Sequence, residues 1–312
     1  MANISISDAA FSGFRIVREH PIAVPIWAAA VLVFSLLNIL VITSMVGPSF
    51  MRMQQAGADP NQALAALQQM LPVYAVLLPL TLVFYAVFYA AISRAVLHPA
   101  EDQFGYLRLG PDELRQFGLG FLYVLVLFGF YILLAIGFVI FTVLVGLVFS
   151  AGGKPAPALV GIITLMGFVG MICGLVWFMV RMSLASPLTF ASKRIDLFGS
   201  WTLTKGHFWP LLWTYLIAFV LLFVVALLGL AITAAFMAVA GGGMGAVGTI
   251  FKPDLSSMAS SFSPARLIYM VGSAIFTAMI LPVSIAPPAA IYRALRSSTM
   301  DENGAPIDSV FS

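Results

Sequence analysis

Charge is what this chain has least of. Of its 312 residues only 9% are Asp, Glu, Lys or Arg, while 62% are hydrophobic and the mean hydropathy is +1.06. A water-soluble domain carries about 25% charged residues, so this composition excludes a cytosolic enzyme and a disordered chain alike. The isoelectric point near 9.1 is no sign of nucleic-acid binding, because the net charge is only +3 and no basic cluster is dense. Cysteine is nearly absent too. The single Cys173 rules out a disulfide framework, an iron–sulfur cluster and a cysteine-based zinc site. Its place midway along an apolar run predicts an inert, buried thiol.

What is present is long apolar sequence. Six stretches reach the length of about 20 residues that a membrane helix needs: Ile22–Val46, Leu71–Ser93, Gly118–Phe149, Ala158–Val180, Pro210–Ala240 and Leu267–Tyr292. All six are free of ionisable Asp, Glu, Lys, Arg and His through their centres. The third and fifth exceed a bilayer's thickness and are expected to tilt or project. The first twenty residues lack the basic start, early apolar core and small-residue site of a cleaved signal, which predicts a retained first helix. Eleven basic residues (Arg15, Arg18, Arg94, Arg108, Arg115, Arg181, Lys193, Arg194, Lys205, Arg293 and Arg296) fall on the side shared by both termini. Only Arg52, Lys154, Lys252 and Arg266 fall on the other. This bias predicts cytoplasmic termini in a bacterial inner membrane.

The segments that lead into the odd-numbered spans resemble one another. They read FSGFRIVREHPI from Phe11, FGYLRLGPDELR from Phe104 and FGSWTLTKGHFW from Phe198. Aligned without gaps, they superpose Phe14, Leu107 and Trp201, then Ile16, Leu109 and Leu203. Each leads into two spans, and each pair closes with an arginine: Arg94, Arg181 or Arg293. The pattern predicts an all-α integral membrane fold of three parallel hairpin repeats, 5–96, 97–186 and 187–296, each preceded by an interfacial amphipathic segment, with 297–312 as a cytoplasmic tail. Parallel repeats imply a pseudo-axis along the membrane normal. In Gln103–Phe117, Phe104, Leu107, Leu114 and Phe117 can share an apolar face in the headgroup layer, and Pro111 suits a first helical position. Trp201, Trp209 and Trp213 are placed for an aromatic belt.

Two loops on the opposite side are longer than a hairpin requires. Residues 50–70 include NQALAALQQML, a composition that predicts a short surface helix with Asp59 as a possible N-cap. Residues 241–264 are rich in glycine and serine and read as a flexible connector. GGGMG at Gly241 resembles a phosphate loop in composition alone.

From Arg181 the chain reads RMSLASPLTFASKRIDLFGSWTLTKGHFW. Arg181, Ser183, Leu184, Ala185 and Pro187, followed by Ser200, Trp201, Leu203, Thr204, Lys205, Gly206, Phe208 and Trp209, resemble a motif of the glycerophosphoryl diester phosphodiesterase membrane-domain family and related uncharacterised bacterial inner-membrane proteins. The resemblance implies a polytopic membrane fold that handles lipid or supports a partner. It implies no phosphodiesterase activity, since in fused members that belongs to a separate soluble domain.

Catalytic chemistry is hard to assemble. Glu101, Asp102, Asp112 and Glu113 cluster in one loop, but Arg108 and Arg115 interleave with them, which predicts a solvated, charge-balanced surface. His20, His98 and His207 all lie at the boundary, outside the spans where haem ligands belong; local roles are expected in place of a shared site. There is no Gly-x-Ser-x-Gly, no Walker A sequence and no dinucleotide fingerprint. No cofactor or metal is expected. The polar residues within spans, among them Asn38, Thr43, Thr142, Thr214, Tyr215 and Ser273, are expected to bond to backbone or neighbouring helices. Pro72 and Pro79, with Pro282, Pro287 and Pro288, are candidate helix breaks, and the Gly167, Gly170 and Gly174 set permits close packing within the bundle. The resulting expectation is a non-enzymatic scaffold or accessory subunit that binds membrane lipids or another membrane protein. Its contact candidates are Arg94, Arg181, Arg293, Trp201 and Lys205. The alternative is a transporter of a lipid or other amphipathic molecule.

Overall fold

The computed structural model describes residues 5–55, 60–151, 157–240 and 257–297, with 243, 245, 247 and 248 between the last two. It is 88% helical, without strands among the described residues, and six helices are long and apolar enough to cross a membrane. The protein is an all-α, multi-pass membrane protein.

Two short helices, α1 (Ile6–Ala10) and α2 (Ser12–Glu19), precede α3 (Ala23–Gln55), which pairs with α4 (Pro60–Leu97). A 3-10 turn at Gln103–Tyr106 leads to the second hairpin, α5 (Pro111–Ala151) and α6 (Pro157–Met182). Helices α7 (Ala185–Ser192) and α8 (Gly199–Leu203) lead to α9 (Phe208–Ala240), then α10 (Met258–Ser261) and α11 (Pro264–Ser297). Each helix is longer than its apolar run at one end or both. NQALAALQQML is thus no separate surface helix but the first turns of α4. Pro111 does start α5. The prolines break nothing: α4 runs through Pro72 and Pro79, and α11 through Pro282, Pro287 and Pro288. Asp59, Lys154, Lys252, most of 241–256 and the tail beyond Ser297 lie outside the described residues.

The six long helices form a closed circuit. Each hairpin packs on itself, and the second helix of each meets the first helix of the next: α4 on α5, α6 on α9, α11 on α3. The contacts differ in kind. Phe34 stacks on Phe84 between α3 and α4 at 4.0 Å, and Phe130 stacks on Phe178 between α5 and α6 at 4.3 Å. Helix α11 is drawn inward against both α3 and α4, because Ala274, Ala278, Ala286 and Ala289 present almost no side-chain bulk there. The hairpin α5–α6 is the least embedded, with only 6% and 0% of its apolar windows buried against 39% for α11.

The lead-in segments are not equivalent in conformation. Phe14 and Trp201 are helical, whereas Leu107 is extended and Leu109 is 87% exposed. Nor does the first segment merely lie in the headgroup layer. Helix α2 packs on α11, and Gly13 is pressed so close that a Cβ would come 2.3 Å from Val283 Cα. Gly167 makes a similar close fit against Phe141, but Gly170 faces open space and Gly174 only touches Leu134. The Gly170/Gly174 spacing therefore forms no close helix contact. Cys173 is exposed on α6 instead of buried, because α6 packs on so little of the bundle.

Candidate functional site

The chemistry-bearing side chains gather where the spans end on the face that carries both described chain ends, here the terminal face. Three different arrangements form around the three closing arginines.

Arg94 is a structural residue. It is 2% exposed and donates to the Tyr106 carbonyl and, at 2.8 Å, to Glu113 Oε1. Asp112 lies 3.8 Å away and also pairs with Arg115 at 2.6 Å and Lys193 at 2.8 Å, while the Phe190 ring sits beside the guanidinium. This corrects two expectations. Arg94 has no free surface for a lipid phosphate, and Glu113, at 6% exposed, does not belong to a solvated loop. The physical reason is that α5 starts at Pro111 directly beneath the end of α4, so its first-turn carboxylates meet the arginine of the preceding span. Acidic residues also favour that helix end through the dipole.

The same knot fixes a strained turn. Phe104, Gly105 and Tyr106 all adopt left-handed φ, at 54°, 62° and 65°, a conformation costing about 1–2 kcal/mol for a non-glycine residue. Trp27 Nε1 donates to the Gly105 carbonyl at 2.7 Å, and the buried Tyr106 donates its hydroxyl to the Pro99 carbonyl at 2.9 Å. His20 meets the same hydroxyl at 3.2 Å. Burial, and the nearby Asp102 carboxylate, raise the Tyr106 phenol above its ordinary pKa.

Arg181 is half-buried between two tryptophans, 5.3 Å from the Trp201 ring and 5.9 Å from that of Trp177. It donates to the Trp201 carbonyl and to Thr204 Oγ1 at 3.4 and 3.3 Å, and no carboxylate pairs with it among the described residues. Trp201 is itself packed on Trp177 and Phe178 instead of standing free as an anchor. Lys205 follows on an exposed turn. The structure thus brings Arg181, Trp201 and Lys205 onto one side of the bundle, at the junction of α6, α8 and α9. Trp209 and Trp213, 66% and 52% exposed, stand at the start of α9 as a boundary belt requires.

Arg293 belongs to an open pocket. It is exposed and caps α4 by donating to the Val96 carbonyl at 3.0 Å, one of the last-turn carbonyls a helix leaves unbonded. The pocket beside it, about 470 Å³, is lined by His98, Arg293 and Arg296 with Leu97, Ala191 and Tyr292. A second hollow of about 220 Å³ continues from Tyr292 and Arg296 to Leu188 and Leu203. Among the described residues no carboxylate lines either. Sequence reasoning missed His98 and Arg296, whose i, i+3 spacing from Arg293 on α11 was the available signal. The three histidines do not meet: His20 serves Tyr106, His98 lines the pocket, and His207 is exposed beside the Lys205 carbonyl. Among the described residues no group of three His, Cys, Asp or Glu is placed to hold a metal.

Several polar side chains within the spans bond locally or to a neighbouring helix. Asn38 and Thr214 bond back one turn to the Phe34 and Pro210 carbonyls, and Thr142 and Ser273 do the same three residues back. Thr43 bonds to Ser261 at 2.9 Å on the far face, and Tyr215 donates to Ser183 at 2.7 Å between α9 and α6.

Neither family models, nor curated proteins, nor solved structures yield a match to this chain. The functional reading therefore rests on the geometry above.

Proposed function

We propose that this is a non-enzymatic accessory protein of a bacterial inner membrane, with cytoplasmic termini and three parallel hairpin repeats, that holds anionic phospholipid at its cytoplasmic boundary and through it supports a partner membrane protein. The observation that carries the reading is the pocket at the end of α11: arginine and histidine on apolar walls, with no acidic lining residue among the described residues, at the end of a membrane helix. Guanidinium–phosphate bonds are short, charge-assisted and bidentate, and leucine and alanine walls suit the start of the acyl chains. The cyclic packing of successive hairpins supports the repeat, and the likeness of the Arg181–Trp209 stretch to the phosphodiesterase membrane-domain family supports the lipid-handling role. Arg181, Trp201 and Lys205 form a second contact of the same kind, while Arg94 holds the fold.

The test is lipid retention by native mass spectrometry after gentle extraction, with phosphatidylglycerol as the probe. Arg293→Gln with Arg296→Gln should release bound phosphatidylglycerol at temperatures where circular dichroism shows the helices still folded, the lost Val96 cap costing only a modest drop in melting temperature. Unaltered retention would refute the reading. The sparse packing of α5–α6 against the bundle favours a second reading, carriage of an amphipathic molecule between repeats, which flux in proteoliposomes would separate from a scaffold showing none.

A further inference from the structure

The two hollows beside the end of α11 differ in chemistry and meet at one residue. Tyr292 and Arg296, one turn apart on the same face of the helix, line both. To these the larger hollow adds His98 and Arg293. The smaller adds only hydrocarbon: Leu188 of α7, Leu203 of α8 and Leu295 of α11. A ligand that fills both is anionic at one end and apolar at the other, with its junction at Tyr292.

Helices α4 and α11 both end here, and the carbonyls of a helix end repel an anion. Three of them are covered. Arg293 donates to the Val96 carbonyl at 3.0 Å, the His98 amide to the Arg94 carbonyl at 2.7 Å, and Ser297 Oγ to the Ala294 carbonyl at 2.9 Å. Arg293 commits one guanidinium nitrogen in this way and forms no ion pair with a described residue. Its other N–H donors are left for a ligand.

Tyr292 supplies a further donor. It is 9% exposed, yet its hydroxyl bonds to no described residue. Among the described residues, the side-chain polar atoms sealed away without a partner are the Nε of Arg181 and of Arg266. The Tyr292 hydroxyl is therefore in the small part of the residue left open, and the spaces beside Tyr292 are the two hollows. A phenol so deeply held is ordinarily bonded to protein; this one is held ready for something else.

Charge and donor count select the headgroup. A phosphodiester lipid such as phosphatidylglycerol has one charge and two terminal oxygens, and its head alcohol stands where a third would be. A phosphomonoester has three terminal oxygens and about 1.5–2 negative charges at neutral pH. Guanidinium forks suit two of those oxygens, and the Tyr292 hydroxyl suits the third. We infer, resting on the phosphate reading of this pocket, that its ligand is a phosphomonoester lipid of the phosphatidic acid class. The phosphate lies among Arg293, Arg296 and Tyr292, and the start of one acyl chain lies against Leu188, Leu203 and Leu295. Tyr292 is the residue that distinguishes the monoester from diester lipids.

The experiment is a competition on the full chain in mild detergent, with dioleoyl phosphatidic acid and dioleoyl phosphatidylglycerol at equal concentration and bound lipid counted by native mass spectrometry. Phosphatidic acid should win by about tenfold, one hydrogen bond to a charged acceptor. Tyr292→Phe keeps the ring and removes a hydroxyl that has no described protein partner, so thermal unfolding should not change. It should weaken phosphatidic acid retention about tenfold and phosphatidylglycerol retention less than about twofold. Equal retention of the two lipids, or a Tyr292→Phe effect that is absent or the same for both, would overturn this assignment and leave the phosphate pocket standing. A melting temperature lowered by Tyr292→Phe would give the hydroxyl a structural partner and overturn it too. No retention of either lipid, or retention indifferent to Arg293→Gln with Arg296→Gln, would overturn the pocket reading and this assignment with it. Displacement of phosphatidic acid by glycerol 3-phosphate at equal concentration would make the ligand a soluble phosphomonoester and overturn the lipid.

Discussion

If Arg94 and Glu113 form a buried ion pair that ties α4 to α5, removing one partner should be far more damaging than removing both. At their 2.8 Å separation, an effective dielectric constant of about 20 gives an attraction of about 6 kcal/mol, most of it offset by taking two charges out of water. The exposed quantity in an experiment is the unpaired charge. Glu113→Leu leaves Arg94 buried with only Asp112, 3.8 Å away, and should cost about 3 kcal/mol, the lower end of the range for breaking such pairs. Arg94→Leu should cost about 4 kcal/mol, because the Tyr106 carbonyl loses its donor as well. The double variant should fall short of the sum by at least about 1.5 kcal/mol, as directly coupled residues do. The assay is a denaturant titration of the protein in mild detergent, followed by tryptophan fluorescence, for wild type, both singles and the double. Additive single effects, or either single within about 0.5 kcal/mol of wild type, would refute the buried pair. A companion measurement separates structure from ligand contact: any lipid lost from Arg94→Leu should track unfolding, and selective lipid loss at full stability would return Arg94 to the contact surface.

Other expectations follow from close fits. Gly13→Ala should destabilise the protein by about 1–3 kcal/mol or more, since its Cβ would meet Pro282 and Val283 backbone atoms; unchanged melting would mean α2 does not dock on α11. Gly105→Ala should cost about 1 kcal/mol at its left-handed position, where the added Cβ would come 3.2 Å from Ala23 Cα, and Trp27→Phe should lose a comparable amount with the bond to the Gly105 carbonyl; a cycle of the two should show coupling. The raised Tyr106 pKa also has a signed consequence. Folding favours the protonated phenol, so this contribution is full below the unfolded value of about 10 and is lost as pH rises through the higher folded value. Tyr106→Phe should therefore flatten the alkaline fall in melting temperature, and an identical pH profile would show that this phenol is not linked to folding.

The apolar layer was legible because each membrane helix is specified by its own residues. An unbroken run of about 20 apolar residues admits little else, and Asn38 or Thr214 finds its partner one turn away. Pro111 could be placed from the same local logic. Partners set by docking were another matter. Arg94 and Glu113 read as charges at a wet boundary, and only the fit of α5 beneath α4 makes them an interior pair. Cys173 read as buried because its surroundings in sequence are apolar, but apolar sequence in a membrane protein can equally face lipid. The prolines signalled breaks that do not occur, since neighbouring groups and slight adjustments absorb a missing N–H within a spanning helix. The pocket residues His98 and Arg296 come from the first and third hairpins, and no local pattern encodes their convergence. The recurring lead-in motif recorded a similar place in three hairpins, though the backbone there takes different shapes.

The docking of α1 and α2 on α11 sets an order of assembly. These helices leave the ribosome before α9 and α11, yet Ala9 packs against Leu211, Ile291 and Leu295, and Gly13 against Pro282 and Val283. Helix α1 can meet α9, but the docking face of α2 has no mate until α11 has been inserted. A chain interrupted after α9 would carry five sound membrane helices and an undocked α2. Whatever surveys nascent membrane proteins would find the sign of incompleteness at the N-terminus, far in sequence from the missing piece.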